Sequence, residues 1–142
     1  MIEPSLQLLL SQDAGVMSIV QGRFYPQRVP QDGARPAIVF KWISAERWCH
    51  LQGSSKVAGP HLQLDCEASV YEDAKQLSDY VRLALDEYPL QQGLATPQVV
   101  GGFSIQHIYL IDQREDDSPP IAANDLPVFR VMLDFRVRYS ET

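Results

Sequence analysis

A run of strict alternation between Phe129 and Tyr139 constrains the fold of this chain more than any other sequence feature. Successive side chains of a β-strand point to opposite faces, so the pattern predicts a strand with one packed face. A strand of about 12 residues spans about 40 Å, longer than usual, and we expect it to project beyond its own domain. The alternating residues are Phe129, Val131, Leu133, Phe135, Val137 and Tyr139 against Arg130, Met132, Asp134, Arg136 and Arg138.

A second alternating run lies between His61 and Val70. It also predicts a strand, with one face packed and the other exposed to solvent. The residues expected on the packed face are Leu62, Leu64, Cys66, Ala68 and Val70. Those expected on the exposed face are His61, Gln63, Asp65, Glu67 and Ser69.

The apolar period changes at Tyr71 from two to about 3.6, which predicts a helix from Tyr71 to Tyr88. Ser69 is the expected N-cap, with Glu72 completing a capping box. We expect Pro89 to end the helix, because proline disrupts a helix interior. The apolar stripe of the helix consists of Ala74, Leu77, Val81, Ala84, Leu85 and Tyr88.

The N-terminal third predicts shorter elements. A helix over residues 4–20, broken near residues 13–15, precedes a short strand over residues 23–25 and a turn-rich loop over residues 27–36. The run from Ala37 to Ile43 is β-branched, aromatic and almost continuously apolar. Such a composition is typical of a central strand covered on both faces.

Two polar segments interrupt the predicted strands. Residues 46–59 carry glycine, serine and scattered charge, which predicts a long hairpin loop or mobile arm. Residues 112–126 are acidic and contain prolines, which predicts an exposed loop. Between Gln98 and Asp112 we expect one strand, with a bulge or bend at Gly101-Gly102.

Together these elements predict an α+β protein in which residues 1–142 form a single domain. We expect a mixed, mainly antiparallel β-sheet of four to five strands, with two α-helices packed on one face. A chain of this length buries about two-thirds of its unfolded surface. Packing alone can therefore stabilise the fold.

Charge and composition narrow the functional class. The chain has 18 acidic and 12 basic residues, for a net charge of −6. Nucleic-acid binders usually carry a basic footprint, so we expect no specific nucleic-acid binding. The apolar run from Leu8 to Leu10 is too short for a signal sequence or a membrane span, and Glu3 stands where a signal would carry basic residues. We therefore expect a soluble protein of a cytoplasmic kind, without membrane contact.

The sequence shows no pattern of a catalytic, metal or cofactor site. No G-x-S-x-G context surrounds a serine, and Gly101-Gly102 lacks the lysine of a phosphate loop. Asp116-Asp117 is more typical of a solvated loop than of a cation site. The thiols and imidazoles match no paired zinc motif, and we expect both cysteines to be free. These residues are Cys49, His50, His61, Cys66 and His107.

Four residues are candidates for contacts with another subunit: Trp48, Arg130, Arg136 and Arg138. The three arginines lie on the polar face of the last predicted strand. There they could instead bind phosphate, or pair with Asp65 and Glu67 of the neighbouring alternating strand at about 0.2 to 1 kcal/mol per pair. Trp48 lies at the root of the arm and is a candidate anchor, because buried aromatic residues often dominate interfaces.

The order of the elements and several short strings resemble the tail-completion or tail-terminator proteins of long-tailed phages and prophages. The resemblance covers nearly the whole chain. It depends on the joint order of the strings and on no single one of them. The strings are Gly22–Pro26, Val29–Gln31, Arg35–Phe40, Leu62–Cys66, Tyr71–Leu77 and Arg130–Tyr139.

The resemblance implies a structural virion protein with no catalytic turnover. Such a subunit would form a homo-oligomeric ring, expected to be a hexamer, that caps the completed tail tube. Its partners would be the tail tube protein and the head-side connector proteins. It would be assembled in the bacterial host cytoplasm and reside in the virion tail. The segments over residues 46–59 and 112–126 depart from the shorter pattern of the family.

Other functions are compatible with parts of the sequence. A head-tail adaptor or minor tail protein of similar fold is the nearest alternative. A small hydrolase would use His61 or His107 with Glu67 or Asp65. A small-molecule or peptide-binding module would use the concave face of the sheet.

Overall fold

The computed structural model describes residues 2–30, 33–44, 47–50, 53–120 and 126–141, without the side chains of residues 42, 44, 47–50, 53–58 and 141. The helices are α1 (Glu3–Ser11), α2 (Ala14–Val20) and α3 (Tyr71–Leu85), with a short 3-10 helix at Leu90–Gln92. The strands are β1 (Phe24–Pro26), β2 (Ala37–Ser44), β3 (Arg47–His50), β4 (Gly53–Ala58), β5 (His61–Ala68), β6 (Gln98–Val100), β7 (Phe103–Ser118) and β8 (Val128–Glu141). None of the described helices is long and apolar enough to cross a membrane.

The strands form one sheet, with β8 at its centre. Strands β5 and β4 pair with successive parts of one edge of β8, and β7 pairs with the other edge. Beyond β5 the sheet continues through β2 to β1, and only the β1–β2 pair is parallel. This confirms an α+β fold with a mixed, mainly antiparallel sheet. The described residues form eight strands and three α-helices, more than the expected four to five and two.

The three helices cover one face of the sheet and form the main core with it. The apolar stripe of α3 is buried against the apolar faces of β5 and β8. This confirms the strand periodicity of two residues predicted for β5 and β8, and the helical periodicity of 3.6 residues predicted for α3. Val70 is the exception on β5, because the strand ends at Ala68 and Val70 is half exposed. The residues of β5 and β8 in this core are Leu62, Leu64, Cys66, Ala68, Val131, Leu133, Phe135, Val137 and Tyr139.

The expected break in the N-terminal helix lies at Gln12–Asp13. The Asp13 carboxylate caps α2 by accepting a hydrogen bond of 3.0 Å from the Val16 backbone amide. Gly15 lies against α3, where a Cβ atom would be 2.8 Å from the Tyr80 ring. The glycine therefore allows α2 and α3 to approach closely.

Helix α3 differs from its prediction at both ends. Its N-cap is Val70, without a side-chain hydrogen bond, and not Ser69. It ends at Leu85, three residues before Tyr88, because Asp86 is extended and Glu87 has a φ of 63°. The segment after the helix binds β7 instead: the Asp86 carboxylate accepts from the Leu110 amide at 2.8 Å.

Gly101-Gly102 is the turn of a hairpin, and the prediction of one bent strand from Gln98 to Asp112 was wrong. Val100 pairs with Phe103, so the loop between β6 and β7 has two residues. Both glycines have positive φ, 59° and 85°, as required by a type I′ turn. The Ser5 hydroxyl donates to the Val100 carbonyl at 2.8 Å and fixes the hairpin to α1.

The predicted loop over residues 112–126 is strand as far as Ser118, where β7 ends. Acidic residues are uncommon in strands, but two of those in β7, Glu115 and Asp116, have specific partners here. Glu115 binds Lys75 Nζ at 2.6 Å and accepts from the Tyr71 hydroxyl at 2.9 Å, and these bonds lower the pKa of Glu115. Asp116 lies opposite Arg130 of β8. Residues 121–125 lie outside the described part.

The predicted arm over residues 46–59 contains the hairpin of β3 and β4. Ala58 of β4 pairs with Tyr139, so the arm joins the edge of β8. The described part of the predicted loop is therefore strand over Arg47–His50 and Gly53–Ala58, and the mobility of the arm stays a prediction.

Candidate functional site

The face of the sheet opposite the helices carries most of the charged side chains of β5, β7 and β8. Residues paired across antiparallel strands lie on the same face of the sheet. The register therefore shows which residues of β5, β8 and β7 lie side by side in one row across the strands. One row joins Glu67, Arg130 and Asp116, and the next joins Asp65, Met132 and Arg114. We call this surface the charged face.

The row at Glu67 is a cluster of alternating charge. Glu67 is almost fully buried, and its Oε1 accepts from Nε and Nη2 of Arg35 at 3.2 Å. Its Oε2 lies 3.7 Å from Arg130 Nε. Arg130 also donates to Asp116 at 3.1 Å and to Ser118 at 2.8 Å. The cross-strand pairing considered for Arg130 from sequence is therefore present within the chain.

Asp65 is fully buried in the neighbouring row. Its Oδ2 lies 2.7 Å from Lys41 Nζ, and its Oδ1 accepts from the Gln63 amide at 2.6 Å. The expectation of a wholly solvated face on β5 was therefore wrong. The segment at Gln27–Val29 covers this part of the sheet. The positive charges of Lys41, on β2, and of Arg35 compensate the buried carboxylates of Asp65 and Glu67.

A cavity of about 270 Å³ lies beneath that segment, lined by both signs of charge. Its carboxylates already contact guanidinium or ammonium groups, so the arrangement neutralises charge inside the chain. Among the residues described, no group of three or more His, Cys, Asp or Glu is placed to hold a metal ion. The cavity lining includes Arg35, Lys41, Asp65, Glu67, Asp116 and Arg130.

Asp134 and Arg114 form a further pair on the charged face. Arg114 Nη2 donates to both carboxylate oxygens of Asp134 at 3.0 and 3.1 Å, and to Gln63 at 3.0 Å. Burial raises the pKa of Asp134, and the positive charge of Arg114 opposes that rise. Arg114 therefore links β7, β8 and β5 across the sheet.

The end of the charged face away from Ser118 and Val128 has a different composition. Tyr109 lies opposite Arg136 and His107 opposite Arg138, and these four residues line a cavity of about 230 Å³. The rings of His107 and Tyr109 are 5.3 Å apart. His107 Nε2 lies 3.7 Å from Glu87 Oε2. We call this cavity the basic cavity.

The structure separates the four candidate interface residues into two groups. Arg136 and Arg138 lie at the basic cavity, and the backbone of Trp48 lies nearby in β3, two strands from β8 through β4. The side chain of Trp48 is outside the described part. Arg130 lies toward the other end of β8, six residues from Arg136, in the Glu67 cluster.

The residues of the alternative hydrolase do not form a catalytic pair. His61 and Asp65 are four positions apart on one strand, about 13 Å. Glu67 contacts the two arginines Arg35 and Arg130, and His107 contacts Glu87. A base must lie within hydrogen-bond reach of the group that it activates. The described side chains therefore offer no histidine paired with Asp65 or Glu67.

Sequence patterns did not identify several partners at these sites. Lys41 is the one charged residue in the run from Ala37 to Ile43, and its position on the face of Val39 is the signal that predicts a buried partner. Arg35 and Arg114 lie in segments expected to be loops. Glu87 meets His107 only because the segment after α3 packs on β7, whereas Tyr109 is two positions from His107 on the same face of β7.

Comparisons with known proteins agree with this architecture. A sequence model of the family described as tail completion protein gp17 matches residues 4–140. The fold is similar to that of a chain in a solved structure of the virion of a native gene transfer agent (GTA) particle, with a TM-score of 0.67 and 15% sequence identity. The alignment covers 98% of this chain and 94% of that chain. No curated protein matches the chain.

Proposed function

The chain belongs to the family of the tail completion protein gp17, whose members are structural proteins of phage tails, and on that premise we propose that it is a ring-forming tail terminator. The ring, a hexamer of this chain, would cap the tail tube at its final length and join it to the head connector. The observation that carries the proposal is the family match over residues 4–140, which includes all the described helices and strands except the first residue of α1 and the last residue of β8.

The shape and charge of the subunit support assembly through repeated contacts. A ring of one small chain needs two different surfaces that meet in a closed cycle. The β7–β8 hairpin provides two distant surfaces, because its strands have 16 and 14 residues, about 50 Å. One end carries the basic cavity and the other carries the acidic residues Glu115 to Asp117.

We assign the subunit interface to Trp48, Arg136 and Arg138 at one end of the sheet. Arg130 would join it from the other end through the 24% of its side chain that remains exposed beside Glu67. In this proposal residues 1–142 act as a single domain without catalytic turnover. The partners are other copies of the chain, the tail tube protein and the head-side connector.

Electron microscopy of particles made without this protein tests the role. We expect tails of irregular length that are not joined to heads. Tails of normal length that remain sealed and joined to heads would contradict the proposal. Tails of normal length that lack heads would instead favour a head-tail adaptor.

Light scattering tests the assembly itself. The purified chain, alone or with tail tubes, should show a discrete mass of several subunits. A monomer over a wide concentration range that also fails to associate with tubes would exclude a ring.

A further inference from the structure

The basic cavity is built by two adjacent rows of the β7–β8 ladder. Tyr109 is paired with Arg136 and His107 with Arg138, so four side chains converge from two strands. Arg138 is exposed, and the other three are partly buried. The strands fix the spacing of these groups, which a mobile loop would not do.

The chemistry of the lining suits a carboxylate. Two guanidinium groups, an imidazole and a phenol can all donate hydrogen bonds, and arginine binds carboxylates through two parallel bonds. The lining residues are His107, Tyr109, Arg136 and Arg138, and the Glu87 carboxylate lies beside them, with its Oε2 3.7 Å from His107 Nε2. The volume of the cavity, about 230 Å³, is below the usual range of small-molecule sites but is sufficient for one acidic side chain.

The same hairpin presents exposed carboxylates at its other end. Glu115 and Asp116 are bound to Lys75 and Arg130, whereas the exposed Asp117 has no side-chain partner within the described part of the chain. Asp117 is eight residues from Tyr109 along β7, about 26 Å. A strand cannot fold back over that distance, so Asp117 cannot reach the basic cavity of its own subunit.

We propose that the basic cavity is a carboxylate-binding site that receives the acidic end of β7, at Asp117, from a second copy of this chain. The contact joins two different ends of the hairpin, so it repeats from subunit to subunit and can close into a ring. This inference depends on the proposed ring and specifies which surfaces meet. Complementary charge also selects the register of the two subunits.

Charge reversal tests the contact. Arg138→Glu and Asp117→Arg should each raise the concentration for half-maximal assembly by about tenfold or more, because each places like charges together. The double variant Arg138→Glu with Asp117→Arg should restore assembly, since it re-forms the pair with exchanged signs. Sedimentation or light scattering measures the mass, in solution or on tail tubes if the ring closes only there. Circular dichroism and thermal unfolding verify the fold of each variant.

Arg82→Glu is the matched control. It makes the same charge change on the exposed surface of α3, where Arg82 lies 4.0 Å from Asp79, and should leave assembly unchanged. Arg138→Gln provides a milder change should a reversed charge prevent folding, and it should weaken assembly less than Arg138→Glu.

The outcomes separate this inference from the proposed function. If the wild type forms rings and folded Arg138→Glu does so equally well, or if the double variant restores nothing, the carboxylate contact is wrong and the ring remains. If the wild type forms no ring in solution or on tail tubes, the proposed function itself fails. If Arg138→Glu reduces binding to a DNA duplex of mixed sequence without affecting assembly, the cavity binds phosphate and the inference is overturned.

Discussion

The Lys41 ammonium group stabilises a carboxylate that water cannot reach. Asp65 is fully buried, and Lys41 Nζ lies 2.7 Å from its Oδ2, while the lysine side chain remains 38% exposed. An ionised carboxylate is costly to bury unless it is paired. Loss of the lysine would leave the Gln63 amide as the described side-chain partner of Asp65.

We expect Lys41→Met to lower the free energy of unfolding by about 1–3 kcal/mol, the usual penalty for a buried polar group that loses its partner. The methionine keeps most of the aliphatic stem, so the change removes mainly the charge. Urea denaturation followed by circular dichroism measures the effect. Lys75→Met is the control, because Lys75 and Glu115 form an exposed pair of similar length, 2.6 Å. The control should lose much less stability, and equal losses would contradict the explanation.

Cys66 lies inside the main core between the sheet and the helices. Burial, followed by the negative charges of Asp65 and Glu67, raises the pKa of its thiol. The thiolate is the reactive species, so the native thiol should be unreactive where an ordinary cysteine is partly ionised.

We therefore expect iodoacetamide to label Cys66 very slowly in the native protein, even at pH 9. Labelling in urea should be rapid, since unfolding exposes the thiol and restores an ordinary pKa. Peptide mass spectrometry measures Cys66 separately from Cys49. Fast native labelling at pH 9, without unfolding, would show that the thiol is accessible.

The turn between β6 and β7 shows how one short element depends on its neighbours. Its two glycines have similar backbone geometry but different surroundings. A Cβ atom on Gly101 would lie 2.7 Å from the Ser5 hydroxyl oxygen, whereas a Cβ on Gly102 would meet nothing within 4 Å. The same Ser5 hydroxyl binds the Val100 carbonyl.

Gly102→Ala should cost about 1 kcal/mol, the price of a side chain at positive φ. Gly101→Ala should cost at least about 1 kcal/mol more, because its methyl group would also displace Ser5. Thermal or urea unfolding of the two variants measures the difference. Equal stabilities would mean that the contact between the turn and α1 contributes nothing.

The elements that the sequence predicted well are those whose pattern is local. The period of two in β5 and β8, and the period of 3.6 in α3, follow from which side each residue presents to one core. The strand character of β7 near Glu115 does not follow from local pattern. It depends on Lys75, 40 positions away, and on pairing with β8. Propensity alone would make such an acidic segment a loop, and tertiary contacts override it.

At the scale of the whole molecule, the sequence singled out, as interface candidates, two of the four residues that line the basic cavity, and it did not show which side chains lie beside them. Arg136 and Arg138 belong to the polar face of an alternating strand, which the sequence shows directly. Their position beside His107 and Tyr109 depends on the register of β7 against β8, including two irregularities in that register. The burial of Glu67 likewise depends on Arg35, 32 positions away. Such distant pairs are not encoded in any single segment.

The central position of β8 has a consequence for biosynthesis. Strands β5 and β7 are joined through β8, which follows every other described element in the chain. A growing polypeptide therefore leaves the ribosome with one edge of β5 and one edge of β7 unpaired until β8 has emerged. The sheet of a nascent subunit cannot close before β8 has emerged, so completion of the fold, and any assembly that needs it, must wait for that strand.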